Sequence, residues 1–190
     1  MTQYLQIHPD DPQPRFLARA AEVVREGGVI VFPTDSCYSL GCHLGDKDAV
    51  DRIRAIREVD DRHHLTLMCR DLSEIAQYAR VDNSQYRLLK ATTPGSYTFI
   101  LEGTKELPRR VVHPKRKTIG LRVPDHKTAL ALLAELGEPL LTSTLIIPGD
   151  EAPLTEGWEI QDRLEGRLEL KLDGVHCGTD PTSVIDKTGG

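Results

Sequence analysis

A single α/β domain over residues 1–190 is the fold class the sequence predicts, and three observations predict it. Short apolar runs of strand length alternate along the chain with amphipathic stretches of helix length. One of those runs, VIVF at 29–32, is apolar at every position, as in a strand covered on both faces. Several runs end in clusters of hydroxyl residues and arginine, where α/β sheets usually carry their ligands.

The elements follow in order. Tyr4 to Ile7 reads as a short strand. In DDPQPRFLARAAEVVREGG, Phe16, Leu17, Ala20, Ala21, Val23 and Val24 recur at helical spacing, with prolines before them and Gly27-Gly28 after, so a helix is expected there. VIVF follows as a buried strand that stops at Pro33. DKDAVDRIRAIR sets Val50, Ile53 and Ile56 on one stripe of a second helix, with Asp46 or Asp48 as its cap. LTLMC at 65–69 is a strand, and LSEIAQYA and NSQYRLLKAT are shorter helices, each preceded by a residue able to cap.

YTFILEG and TIGLRVP are strands, rich in β-branched or aromatic residues and, in the second case, ended by proline. KTALALLAELG is a helix closed by Gly137, PLLTSTLII is a long apolar run, and WEIQDRLEG is a helix ending in Gly166. RLELKLDG alternates apolar and polar residues, which predicts a half-exposed edge strand. TSVIDKT is the last strand, and 148–158 is the loosest region.

The formal net charge is -5, which argues against a polycation that coats nucleic acid but leaves room for local basic patches. The cysteines Cys37, Cys42, Cys69 and Cys177 form no CxxC pair, so a reduced, cytoplasmic protein is expected. No apolar run approaches the roughly 20 residues that span a bilayer, and none resembles an export signal. His63-His64 has no carboxylate or cysteine at metal-ligand spacing, so no metal site is expected. Neither GxGxxG, GxxxxGK[ST] nor GxSxG occurs. Cys37 has no base beside it in sequence and reads as a small packing residue.

Polar clusters recur at strand ends: Pro33-Thr34-Asp35-Ser36, Thr118 with Arg122, Thr142-Ser143-Thr144, and Thr182-Ser183. Singly, such residues mostly satisfy turn backbone; their recurrence points to an anionic ligand, bound by hydroxyls, N–H groups and arginines. RRVVHPKRKTIGLR, from Arg109 to Arg122, holds six Lys or Arg and no acid. With Arg62, the residues Arg109, Arg110, Lys115, Arg116 and Lys117 make a candidate phosphate or RNA patch, although such runs are also ordinary solvated surface.

FPTDSCYSLG resembles the opening signature of the YrdC-like, threonylcarbamoyl-AMP synthase family, usually yPTdTvYGLG. Four further segments resemble that family in order: IRAIREVDDRHHLTLM its lysine-x-arginine loop, TPGSYTFIL its PGPxTxIL, TIGLRVP its T-x-x-x-R-x-P strand and PTSVID its PSTVVD. The details are most similar to a YciO-like branch. The resemblance implies a twisted, open mixed sheet around a basic concave cavity. It implies condensation of L-threonine, bicarbonate and ATP with Mg²⁺ into threonylcarbamoyl-AMP and pyrophosphate, for modification of tRNA, and binding of double-stranded RNA or tRNA.

Carried over position by position, the resemblance gives Thr34 and nearby Tyr38 as amino-acid contacts, Arg57 and His63 in the cationic loop, and Thr118 as a nucleotide contact. It gives Arg122 as the partner of the threonine carboxylate, Thr142, Ser143 and Thr144 in place of a Ser-x-Asn segment, and Thr182 as a late contact. There are departures. The loop lysine is Arg57 and the second cation is Val59; Leu145 stands for the asparagine, Ser96 for the second proline of PGP, and Ser39 for a glycine. An arginine of a short C-terminal tail has no counterpart before Gly190. Arginine spreads its charge over a planar fork and is no simple substitute for lysine at a phosphate. Three functions therefore stand open: weak or redirected synthase chemistry, non-catalytic RNA binding, and a related transferase with another amine acceptor.

Overall fold

The computed structural model describes residues 1–146, 157–174 and 182–187. The chain runs β1 (Gln3–Gln6), α1 (Pro14–Arg25), β2 (Ile30–Phe32), β3 (Ser39–His43), α2 (Lys47–Arg57), β4 (Thr66–Met68), α3 (Leu72–Tyr78), α4 (Asn83–Thr92) and β5 (Tyr97–Glu102). After a 3-10 turn at Arg109–Val111 come β6 (Thr118–Arg122), α5 (Lys127–Leu136), β7 (Leu140–Thr144), α6 (Gly157–Leu164), β8 (Leu170–Asp173) and β9 (Ser183–Asp186). The nine strands form one mixed sheet in the order β1-β8-β2-β3-β7-β4-β6-β5-β9.

Strand alternation sends successive side chains to opposite faces, and the two faces are used differently. On the first, Leu67, Phe99, Leu101, Ile119, Leu121 and Leu141 meet Val50, Ile53 and Ile56 of α2 and Ile75 of α3. On the second, α1 and α5 cover Ile30, Phe32, Leu140, Leu170 and Leu172. That cover ends at Leu140 on β7 and Met68 on β4. Beyond it the second face carries Thr142, Thr66, Thr118, Gly120, Arg122 and Thr98 instead of leucines. Where the second face turns polar, the sheet has room for a ligand.

Local chemistry explains the elements that matter for this region. α2 starts where the Asp46 carboxylate accepts the Ala49 N–H at 2.9 Å. It ends at Glu58, which takes a left-handed conformation with φ 51° and turns the chain into the segment 59–64 along the rim of the polar half-face. The loop from Pro33 to Tyr38 joins β2 to the antiparallel β3 and folds over the end of β6.

Two expectations need correction. β8 is no edge strand: it lies between β1 and β2, and its Lys171 is fully buried. The ammonium is held by Asp173 at 2.7 Å and sits 5.1 Å from the Tyr38 ring centroid, so the polar member of the alternation is neutralised inside the fold. β3 was not expected, because Ser39-Leu40-Gly41-Cys42-His43 has no β-branched residue; packing chooses it. A Cβ on Gly41 would stand 2.8 Å from Leu140 and 2.9 Å from Phe32.

Candidate functional site

The polar half-face opens into a cavity of about 490 Å³, lined by Arg62, His63, His64, Thr66, Thr98, Ile100, Arg116, Thr144, Thr182, Val184 and Asp186. Its floor comes from alternate positions on adjacent strands. Gly120 lies at the middle: a Cβ there would come within 2.9 Å of Thr66 Oγ1 and 3.0 Å of Thr98 Cγ2. The missing side chain leaves a low point in the sheet, closely bordered by the Thr66 hydroxyl, the Thr98 methyl group and the Leu65 carbonyl.

Histidines and arginines form the rim. His64 Nε2 and Thr118 Oγ1 lie 2.7 Å apart, and the His64 and His113 rings are 5.6 Å apart. Burial lowers the pKa of both His63 and His64; the Arg57 charge adds to this for His63, and His113 and Arg116 add to it for His64. Both therefore favour the neutral form, in which a ring nitrogen still donates to an anion without bringing full charge. Arg116 pairs with Asp186 at 2.6 Å, so the cavity's positive character is local rather than pervasive.

A second polar centre adjoins the floor. Arg122 stands two residues beyond Gly120 on the same face of β6 and is only 3% exposed. Its Nη2 is ion-paired with Asp35, and its Nη1 donates to Ser36 Oγ at 3.2 Å. Burial lowers the Arg122 pKa, and the Asp35 charge works against that shift. Thr34 shapes the loop: its hydroxyl donates to Cys37 O at 2.6 Å and accepts the Ser36 and Cys37 N–H groups at 3.1 and 3.2 Å.

The residues expected from sequence fall into four places. Arg62, His63, Arg116, Thr144 and Thr182 line the cavity, with Thr118 behind His64 and Thr142 donating to Thr66 O at 2.8 Å. Thr34 and Arg122 share the adjoining centre. Arg57 and Ser143 meet at the end of α2, where the guanidinium donates to Ser143 Oγ and to Thr144 O at 2.8 Å, and where burial lowers its pKa. Tyr38 is fully buried; its hydroxyl donates to Gly174 O at 3.1 Å and accepts the Gly174 N–H at 3.0 Å, which fastens the loop to the end of β8.

The basic run does not form one surface. Arg116 enters the cavity, whereas Arg109 and Lys117 line a separate depression of about 460 Å³ with Arg80 and Lys105. Arg110 donates to Gly45 O at 2.6 Å, and Lys115 lies exposed. Leu145, at the asparagine position, is buried in the core with Leu141. The sequence named Asp35 within the Pro33–Ser36 cluster without giving it a role of its own, and it did not mark Thr66, Thr98, His64 or Asp186 as site residues. The period-two spacing of Thr118 and Gly120 about the apolar Ile119 was the available signal for the floor.

Comparison with known proteins bears on the family and the fold. The family model Sua5_yciO_yrdC, described as "Telomere recombination", matches residues 22–190. YciO of Escherichia coli K12 is 55% identical over 188 residues, covering 99% of this chain and 91% of its own, and its crystal structure superposes with a TM-score of 0.96. The threonylcarbamoyl-AMP synthase of Halorhodospira halophila is 29% identical over 184 residues, covering 96% of this chain and 95% of its own. Sua5 of P. abyssi, solved in complex with L-threonine, shares the fold with a TM-score of 0.87 at 24% identity, covering 99% of this chain and 54% of its own.

Proposed function

We propose that this chain, which belongs to the Sua5/YciO/YrdC family, binds a nucleotide in the cavity and catalyses slow chemistry of the threonylcarbamoyl-AMP synthase type, from L-threonine, bicarbonate and ATP. The observation that carries this reading is the half-covered second face of the sheet. Thr66, Thr98, Thr144 and Thr182 line the cavity there, and Arg62, Arg116, His63 and His64 stand beside them to meet phosphate charge.

In that reaction the threonine amine and bicarbonate first join as a carbamate with loss of water; a carbamate oxygen then attacks the α-phosphorus, a new P–O bond forms, and the bond to the β-phosphate breaks to release pyrophosphate. The chain's part is to hold the triphosphate in line and to meet its growing charge with fixed donors. Thr34 and Arg122 are the proposed contacts for the amino acid, the guanidinium fork matching a carboxylate. A single carboxylate, Asp186, lines the cavity, and no cluster of three or more metal-ligating side chains stands among the described residues. The donor set therefore suits a magnesium ion held mainly by the triphosphate, where it would neutralise charge on the leaving group.

Slowness is part of the proposal. Arg57 is turned onto Ser143 and the Thr144 carbonyl, and Val59 supplies no second cation. Losing one fixed donor to transition-state charge costs roughly 10²-fold or more in rate. The test is pyrophosphate release from ATP with Mg²⁺, bicarbonate and L-threonine: release should depend on threonine and on bicarbonate, and release that ignores both would defeat the reading. Arg57's internal engagement also favours a second reading, a non-catalytic protein that binds double-stranded RNA or tRNA through the same rim. Under it, RNA binds tightly and no threonine-dependent pyrophosphate appears.

A further inference from the structure

We infer that Asp35 is a built-in stand-in for a ligand carboxylate: in the free protein it occupies the guanidinium fork of Arg122, and a carboxylate ligand binds there only by displacing it. Asp35 thereby competes with any carboxylate ligand for the site. The inference rests on the proposed amino-acid site only in naming L-threonine; the exchange itself follows from the local geometry.

The Arg122 side chain is 4% exposed and that of Asp35 11%, so this ion pair is withdrawn from water. A buried guanidinium balances one carboxylate, and a second would leave an unpaired buried charge. Binding there is therefore exchange and not addition. Asp35 also fills the fork incompletely: Arg122 Nε is buried with no hydrogen-bond partner, and the second Asp35 oxygen accepts the Asp125 N–H at 2.9 Å instead of lying in the fork. A bidentate ligand carboxylate would satisfy more of the guanidinium than Asp35 does.

Withdrawal of Asp35 would break its Asp125 N–H bond along with the ion pair. Asp35 rides on the 33–38 loop, whose turn is closed by Thr34 within itself, and its link to the neighbouring loop includes a long Ser96 Oγ contact of 3.4 Å. Arg122 follows Gly120 by two residues on the same strand face, a step of roughly 6.6 Å along the strand. With Asp35 withdrawn, the cavity would continue from its floor to the arginine.

Chemical rescue tests this without assuming the substrate. Wild type, Asp35→Asn and Asp35→Ala are melted in sodium acetate, in sodium chloride of equal ionic strength, in L-threonine and in L-threonine amide, which lacks the carboxylate. We expect acetate and L-threonine, at about 100 mM, to raise the melting temperature of the two variants by several degrees over chloride and the amide. Wild type should respond little to acetate, and L-threonine should bind Asp35→Asn about tenfold more tightly than wild type.

Equal responses of wild type and variants would overturn the proposal. So would variants that fail to fold in acetate and threonine as well as in chloride, since the vacated site then accepts no external carboxylate. Rescue by acetate with no advantage for L-threonine would leave the exchange standing and remove the amino-acid assignment.

Discussion

Histidine titration is the most direct reporter of the site's residues. His63, His64 and His126 all have pKa values lowered mainly by burial, so the folded protein resists protonating them more than the unfolded chain does. Their contribution to stability is full above the unfolded value near 6.5 and is lost as pH falls through the lowered folded values. The melting temperature should therefore drop between about pH 7 and pH 5, and His64→Gln should flatten that drop; an unchanged slope would show that His64 does not contribute. Thiols behave differently. Burial pushes Cys42 up to about 12 and Cys69 well above its ordinary range, so mass mapping after alkylation of the native protein should find both unmodified until denaturant is added. The sequence made Cys37 a packing residue, and it is 1% exposed. It did not reveal the pairing of Asp35 with Arg122, because the partners lie 87 positions apart and nothing local to either marks the other.

At the scale of elements, legibility followed periodicity. The stripe of Val50, Ile53 and Ile56 and the cap at Asp46 made α2 readable, and α4 and α5 begin and end within a residue of their expected limits. β3 and the interior position of β8 were not readable, because tertiary packing fixes a strand of small residues and hides a lysine that pairs with Asp173. α2 carries Arg57 to Ser143, so its start bears on the site. Asp46→Ala should cost about 1 kcal/mol through the lost cap, read as a shift in the urea midpoint, with a smaller effect if water replaces the carboxylate. Gly120→Ala is the corresponding test of β6. Its new methyl group would press on Thr66, Thr98 and the Leu65 carbonyl, so a loss of about 1–3 kcal/mol is expected, with weakened nucleotide binding. A variant of wild-type stability and nucleotide affinity would show that the floor yields and that its low point is not used.

Across the whole molecule, the two readings of function differ in how many cations face one ligand. The sequence groups Arg109, Arg110, Lys115, Arg116 and Lys117 together, yet the fold spreads them. Arg116 enters the cavity beside Arg62, Arg109 and Lys117 line another depression, and Arg110 is taken up by the Gly45 carbonyl. A polyanion seated in the cavity thus meets two arginines, and binding falls with salt by close to one power of salt concentration per neutralised phosphate. For a short RNA duplex the log–log slope should be about −2; Arg116→Ala should make it shallower by about one, whereas Lys115→Ala should leave it unchanged. A slope near −5 that Lys115→Ala and Arg116→Ala reduce equally would mean that RNA crosses the basic run as one surface. The cavity would then be only one stop along its path, and the non-catalytic reading would take precedence. With a slope of about −2 that responds to Arg116 and not to Lys115, RNA and nucleotide compete for the same rim, and excess ATP should displace the duplex.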